Sequence, residues 1–219
     1  MTEHQEVGRR RRRRRRRPAI RLVFGGICLT AAVLLALSGR RLPGERVEIP
    51  EDVEQALLTV NKWSRPGDPL RKINGVVIHY VGNPATTARA NRNYFESLSS
   101  GAEGTYASAH FIVGLEGEVL QCIPLTEIAY ASNSRNGDTV SIEVCHPDGT
   151  GEFLSETYDR LVELTAWLCQ EFRLDPETEV IRHYDVTGKL CPRYYVENPD
   201  AWERFLADTA AETEHFPQD

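Results

Sequence analysis

Ile73-Asn74-Gly75-Val76-Val77-Ile78-His79 is a short apolar run, rich in β-branched residues, with turn-forming residues beyond it. That combination reads as a buried strand. Working outward, Thr86 caps a helix running to about Leu98, which Gly101 and Gly104 terminate. Ala109 to Val113 and Glu118 to Ile123 form a hairpin across Leu115-Glu116-Gly117, and Thr139 to Cys145 forms a further strand. Ser155 caps the clearest helix, where Tyr158, Leu161, Val162, Thr165, Leu168, Cys169 and Phe172 fall on one stripe at helical spacing. Val180-Ile181-Arg182 is a short last strand, and Asp200 to about Glu212 is a terminal helix carrying Trp202 and Phe205. Upstream, Glu51 to Lys62 reads as a short helix ahead of Pro66-Gly67, and Leu42 to Pro50 as a stalk. The class is α/β: a single domain with a central mixed β-sheet flanked by helices, and no fixed-period repeat.

The front of the chain has a different composition. Nine consecutive arginines, Arg9 to Arg17, precede the 16 uncharged residues Leu22 to Leu37, and Arg40 and Arg41 close the stretch. A spanning helix needs ~20 apolar residues, a length reached here if Ile20, Ser38 and snorkelling arginines extend the run. This reads as an N-terminal transmembrane signal anchor. The division is then residues 1–19 as a basic cytoplasmic tail, 20–39 as the anchor, 40–66 as a juxtamembrane stalk and 67–219 as the folded domain. A cleaved signal peptide and a basic arm on a buried helix are the alternatives. The one small-x-small cleavage candidate, Ala36-Leu37-Ser38, overlaps the apolar run instead of following it. Positive-inside bias makes the protein a single-pass cell-membrane protein with its C-terminal part extracytoplasmic and the lipid bilayer as a partner. Residues 1–41 hold 12 Arg and 2 Glu, or +10, so the whole-chain charge of −6 leaves −16 for residues 42–219. A part that acidic is a poor partner for nucleic acid and better suited to a neutral or zwitterionic substrate.

His183 and Cys191 stand eight residues apart in Arg182-His183-Tyr184-Asp185-Val186-Thr187-Gly188-Lys189-Leu190-Cys191-Pro192, which reads as a loop. His79, closing its strand, completes a candidate site of two imidazoles and one thiolate. That donor set suits zinc, and three protein ligands leave a fourth position for water, as in catalytic sites. Cys145 and His146, adjacent on one strand, point to opposite faces and cannot share an ion. Cys122, Cys145 and Cys169 sit where burial as small reduced hydrophobes is expected, although a disulfide is allowed outside the cell.

Four ordered motifs, Val77-Ile78-His79-Tyr80, Ser108-Ala109-His110-Phe111, Ser141-Ile142-Glu143 and His183-Tyr184-Asp185 through Lys189-Leu190-Cys191-Pro192, together resemble the zinc-dependent N-acetylmuramoyl-L-alanine amidases of the type 2 class. Those share a fold with peptidoglycan recognition proteins and phage amidase-type lysozymes. The resemblance covers about residues 70–206. It implies that His79, His183 and Cys191 bind Zn2+, and that Lys189 stabilises the oxyanion formed when the metal-activated water attacks the amide. It also implies hydrolysis of the bond between N-acetylmuramic acid and L-alanine in peptidoglycan or a muropeptide. One position departs from part of the family. Phage-type amidases carry a tyrosine just before the hairpin histidine, whereas this chain has Ala109 before His110. Cytoplasmic muropeptide amidases of the superfamily have the Ser-Ala-His form and use a glutamate in an Ile-Glu strand, which matches Glu143 as general base. Tyr106 and Tyr80 have no spacing argument for that role, and the family position of His110 is structural or substrate-facing. Asp185 and Tyr184 are candidate partners for orienting the ligands. The competing reading is a non-catalytic, membrane-anchored peptidoglycan recognition protein, a class that commonly loses the cysteine ligand. A structural zinc domain would need a fourth protein ligand, and none stands at suitable spacing.

Overall fold

The β-branched runs seen in the sequence pair into one sheet in the computed structural model, which describes residues 42–216. Six strands, β1 (Val53–Gln55), β2 (Val76–Tyr80), β3 (Phe111–Val113), β4 (Val119–Gln121), β5 (Val140–Val144) and β6 (Val180–Arg182), lie in the order β1-β4-β3-β5-β2-β6. β3, β5, β2 and β6 run parallel to one another. β4 turns back antiparallel on β3 through the expected hairpin, and β1 pairs parallel to β4, which makes the sheet mixed. Helices α1 (Ala88–Ser97), α2 (Ser155–Phe172) and α6 (Pro199–Thr213) flank it, with the short helices α3 (Pro176–Glu179), α4 (His183–Thr187) and α5 (Arg193–Glu197) between α2 and α6.

The period-2 alternation of each strand sorts its side chains into two cores. Val76 and Ile78 of β2, Val140, Ile142 and Val144 of β5, and Phe111 and Val113 of β3 pack with Leu161, Leu164 and Leu168 of α2 and with Trp202 and Phe205 of α6. The opposite face gives Ile112 and Leu120 to a second core with Ala88 and Phe95 of α1. Leu168 and Phe205 are almost wholly removed from solvent, so the stripe predicted on α2 and the aromatic pair predicted on α6 do cover the sheet. Each fully buried side chain of that size contributes about 1.5–3 kcal/mol.

Three expectations need correction. Glu51 to Lys62 is not a helix: Val53–Gln55 forms edge strand β1, and the backbone N–H groups of Ala56 and Leu58 continue the pairing onto the carbonyls of Gln121 and Cys122. The physical reason is that β4 leaves an unpaired row of backbone groups that this segment satisfies. Residues 40–66 are therefore not a stalk throughout. Val53 and Leu58 are buried, Val47 and Ile49 pack against the core, and the folded part starts well before residue 67. Finally, Arg182 to Pro192 is not all loop, because α4 opens at His183. Two caps shift by a residue. Thr87, not Thr86, accepts the Ala90 N–H at the start of α1, and Ser155 is the first residue of α2 rather than its cap.

The basic tail (1–19) and the anchor (20–39) lie outside the described residues. Among the described residues, no helix is long and apolar enough to cross a membrane.

Candidate metal centre

His79 and Glu143 are register partners on the parallel strands β2 and β5, so both side chains leave the same face of the sheet near the strands' carboxyl ends. The chain leaves β6 directly into His183, the first residue of α4. Arg182, just before it, holds that turn. Its guanidinium grips both carboxylate oxygens of Asp185 and also bonds the Tyr195 carbonyl, while Asp185 accepts the Arg182 backbone N–H. Gly188 ends the turn in the left-handed region at φ 75°, and the Tyr184 N–H donates to the Cys191 carbonyl, folding the segment back on itself. The eight-residue separation of His183 and Cys191 thus becomes spatial adjacency.

The donor atoms of His79, His183 and Cys191 all lie within 4.8 Å of one another, and all three residues are buried. The two imidazoles meet at 4.5 Å between ring centroids, and the Cys191 sulfur is 4.0 Å from His79 Nδ1. Each ring is anchored through its far nitrogen. His79 Nε2 is 3.1 Å from Ser132 Oγ, and His183 Nε2 is 2.9 Å from Asn133 Oδ1. Because an amide oxygen only accepts, the His183 proton sits on Nε2, and Nδ1 is a bare lone pair. That Nδ1 is buried with no hydrogen-bond partner. A buried polar atom left unsatisfied by protein is costly unless a bound group fills the role, and an orphaned imidazole nitrogen facing a second imidazole and a sulfur fits a zinc ion.

Electrostatics favour the ligating forms of the histidines. Burial, then the neighbouring His183 and the Lys189 ammonium, hold His79 well below the usual imidazole range, and burial followed by Lys189 lowers His183. Both rings are neutral at pH 7. Burial pushes the Cys191 thiol up to about 12, the Glu143 carboxylate adding to this while a Tyr80 backbone hydrogen bond and Lys189 oppose it. A metal would have to displace that proton. Glu143 is pushed up to about 8 by burial, against the pull of Lys189. Its Oε2 is out of solvent and unpartnered. A carboxyl with a raised pKa and a free oxygen beside a candidate metal site is suited to moving a proton. Lys189 itself is exposed, yet its charge reaches all four of these groups.

Other candidates fall away from the centre. The backbone N–H of Ser141 donates to His110 Nδ1, and Nε2 sits 2.9 Å from the Glu127 carbonyl, so His110 is a satisfied core histidine. Both nitrogens of His146 face carbonyls, those of Asp148 and Val81. Cys122, Cys145 and Cys169 are buried free thiols. Asp185 positions the His183 turn without touching the ring, and Tyr184 is exposed. The residues that do orient the histidines, Ser132 and Asn133, were not singled out in the sequence. Asn136 braces their turn by accepting the Ala131 and Ser132 N–H groups, and Asn133 occupies the left-handed region at φ 50°. The only signal is Ser132-Asn133-Ser134, a run of turn-formers between two strands.

Comparison with known proteins places the chain in a family. Residues 69–194, more than half of the chain, match the family model described as N-acetylmuramoyl-L-alanine amidase. The chain is 33% identical over 168 residues to the N-acetylmuramoyl-L-alanine amidase BlyA of Bacillus subtilis (strain 168), and 32% identical over 158 residues to CwlL of Bacillus licheniformis. Those matches span 68% and 67% of this chain but 44% and 43% of the relatives, so the chain spans less than half the length of the curated proteins it resembles. Among solved structures, PlyL superposes with a TM-score of 0.62 at 19% identity, over 73% of this chain and 98% of that one. A mutant endolysin from Bacillus subtilis gives 0.60 at 25% identity, over 72% and 97%. With the family model matched across the four motifs, this chain belongs to the N-acetylmuramoyl-L-alanine amidase family.

Proposed function

We propose that the protein hydrolyses the amide bond between N-acetylmuramic acid and L-alanine in peptidoglycan or a muropeptide, with zinc held by His79, His183 and Cys191. The observation that carries this reading is the orphaned Nδ1 of His183 facing His79 and Cys191, next to the unpartnered buried oxygen of Glu143. A zinc ion bound there supplies Lewis acidity, lowering the pKa of a water and polarising the amide carbonyl. Ser132 and Asn133 keep both imidazoles turned towards it. Glu143 takes a proton from the attacking water and returns it to the nitrogen of L-alanine, which makes the amine a competent leaving group. Lys189 stabilises the oxyanion as it develops, a contribution largest in the transition state. The intact cysteine ligand favours an enzyme over a recognition module that binds without cleaving.

The test is release of new L-alanine amino termini from purified peptidoglycan by residues 42–219. Chelation should abolish release and added zinc restore it, whereas binding without release by zinc-loaded protein would leave only a recognition module. We also propose that residues 20–39 anchor the protein in the cell membrane with this domain extracytoplasmic, as the arginine run and the apolar stretch support. Protease added to intact spheroplasts should then digest the domain; protection from protease would reject the orientation.

A further inference from the structure

His146 is buried and takes no part in the mechanism above. Its Nδ1 is 2.6 Å from the Asp148 carbonyl oxygen and its Nε2 is 2.9 Å from that of Val81. A carbonyl oxygen only accepts, and a neutral imidazole offers one N–H and one lone pair. In either tautomer a neutral ring would press a lone pair against an oxygen at hydrogen-bond distance, which is repulsive. Both contacts are bonds only when the ring carries two protons and a positive charge, and charge-assisted bonds are short, as these are.

A buried charge is tolerated where its donors are satisfied and a countercharge stands nearby. The Asp148 carboxylate supplies it from the same loop: the Thr150 hydroxyl and N–H, and then the His146 ring, hold that carboxyl below its usual range. From β2 the Tyr80 ring lies 4.9 Å from the imidazole, and from α5 the Arg193 guanidinium bonds the Gly149 carbonyl. The two carbonyls that His146 grips belong to the segments following β2 and β5, the paired strands that carry His79 and Glu143. A further bond, from the Ala85 N–H to the His146 carbonyl, ties the same two segments. Tyr80, between His79 and Val81, also gives the backbone hydrogen bond that reaches the Cys191 sulfur. We infer that His146 is a positioning residue for the metal centre, an imidazolium clasp between the turns after β2 and β5 that fixes His79 and the Cys191 sulfur relative to Glu143.

The inference rests on the zinc amidase reading for its purpose, but its test does not need hydrolysis. Nitrogen NMR of the zinc-loaded full chain, with His146 identified by its contact with Tyr80, should show both ring nitrogens protonated at pH 6. A glutamine side chain cannot span both carbonyls, so zinc affinity of His146→Gln, measured by chelator competition, should fall about tenfold at pH 6. The ratio of parent to variant affinity should shrink as pH rises, in step with loss of the second ring proton, because the parent then keeps only one of its two bonds. Taking the ratio cancels the groups common to both proteins, Glu143 and Cys191 among them, and a histidine that merely fills space would give a ratio indifferent to pH. The kcat ratio at saturating zinc should follow the same curve. A ring neutral at pH 6, or an affinity ratio constant between pH 6 and pH 9, would overturn the clasp. Absence of hydrolysis in both proteins, with the ring doubly protonated and the affinity ratio falling with pH, would instead remove the amidase reading and leave the clasp standing.

Discussion

Glu143, half-buried in β5 with one oxygen out of solvent, and the buried His110 beside it are both ionisable, and the difference between them lies in their partners. Glu143 keeps one oxygen without a hydrogen bond, whereas both nitrogens of His110 are bonded. An unsatisfied buried carboxyl costs stability and is retained where it does chemistry. Glu143→Gln preserves the shape but cannot accept a proton, so hydrolysis should fall by about 10²–10⁴-fold while bound zinc per chain stays unchanged. Comparable rates for the variant and the parent would remove Glu143 from the mechanism. His110 acts on stability instead. Burial pulls its pKa from 6.5 to about 4. Below pH 6.5 the unfolded chain binds a proton that the folded ring refuses, so stability is fully present above that value and falls as pH drops towards about 4. The loss reaches about 3 kcal/mol, at roughly 1.4 kcal/mol per pKa unit. Urea denaturation between pH 7 and pH 4 should show this slope, and His110→Gln should flatten it; an unchanged slope in the variant would refute the assignment.

Two elements bracket the centre, and they differ in how far the sequence announces them. The turn α4 carries its own instructions: Asp185 three residues after the Arg182 cap position, and Gly188 where a left-handed residue is needed. The turn over residues 131–136 reaches the histidines only through tertiary contact, so no local pattern marks Ser132 and Asn133 as their partners. Strand β1 is a third case. Its three residues show no helical stripe and too little alternation to declare a strand, and they become one because β4 offers an open edge. A chain beginning at residue 67 loses β1, the burial of Val53 and Leu58, at about 1.5–3 kcal/mol each, and the shielded ion pair of Arg65 with Glu127. It should therefore melt well below residues 42–219 in a calorimetric scan. Equal melting temperatures would show that residues 42–66 are dispensable to the fold.

Across the whole molecule, one sheet separates two tasks. The face under α2 and α6 is filled with aliphatic and aromatic side chains, and the face that bears His79 and Glu143 is capped by α1 and by the turns that surround the centre. The sequence by itself determined the α/β class, the hairpin, the last strand and the α2 stripe, because hydrophobic period is a local property of the chain, and its motif order brought His79, Glu143, His183, Lys189 and Cys191 forward as candidates. Only the tertiary structure decided that β1 belongs to the sheet, that Ser132 and Asn133 meet His79 and His183, and that Tyr106 stands exposed beside them. Those features depend on contacts between residues far apart in sequence, such as the 53 residues that separate His79 from Ser132. Periodicity tells which way a side chain faces; it carries no information about which distant backbone or carboxamide will be there to meet it.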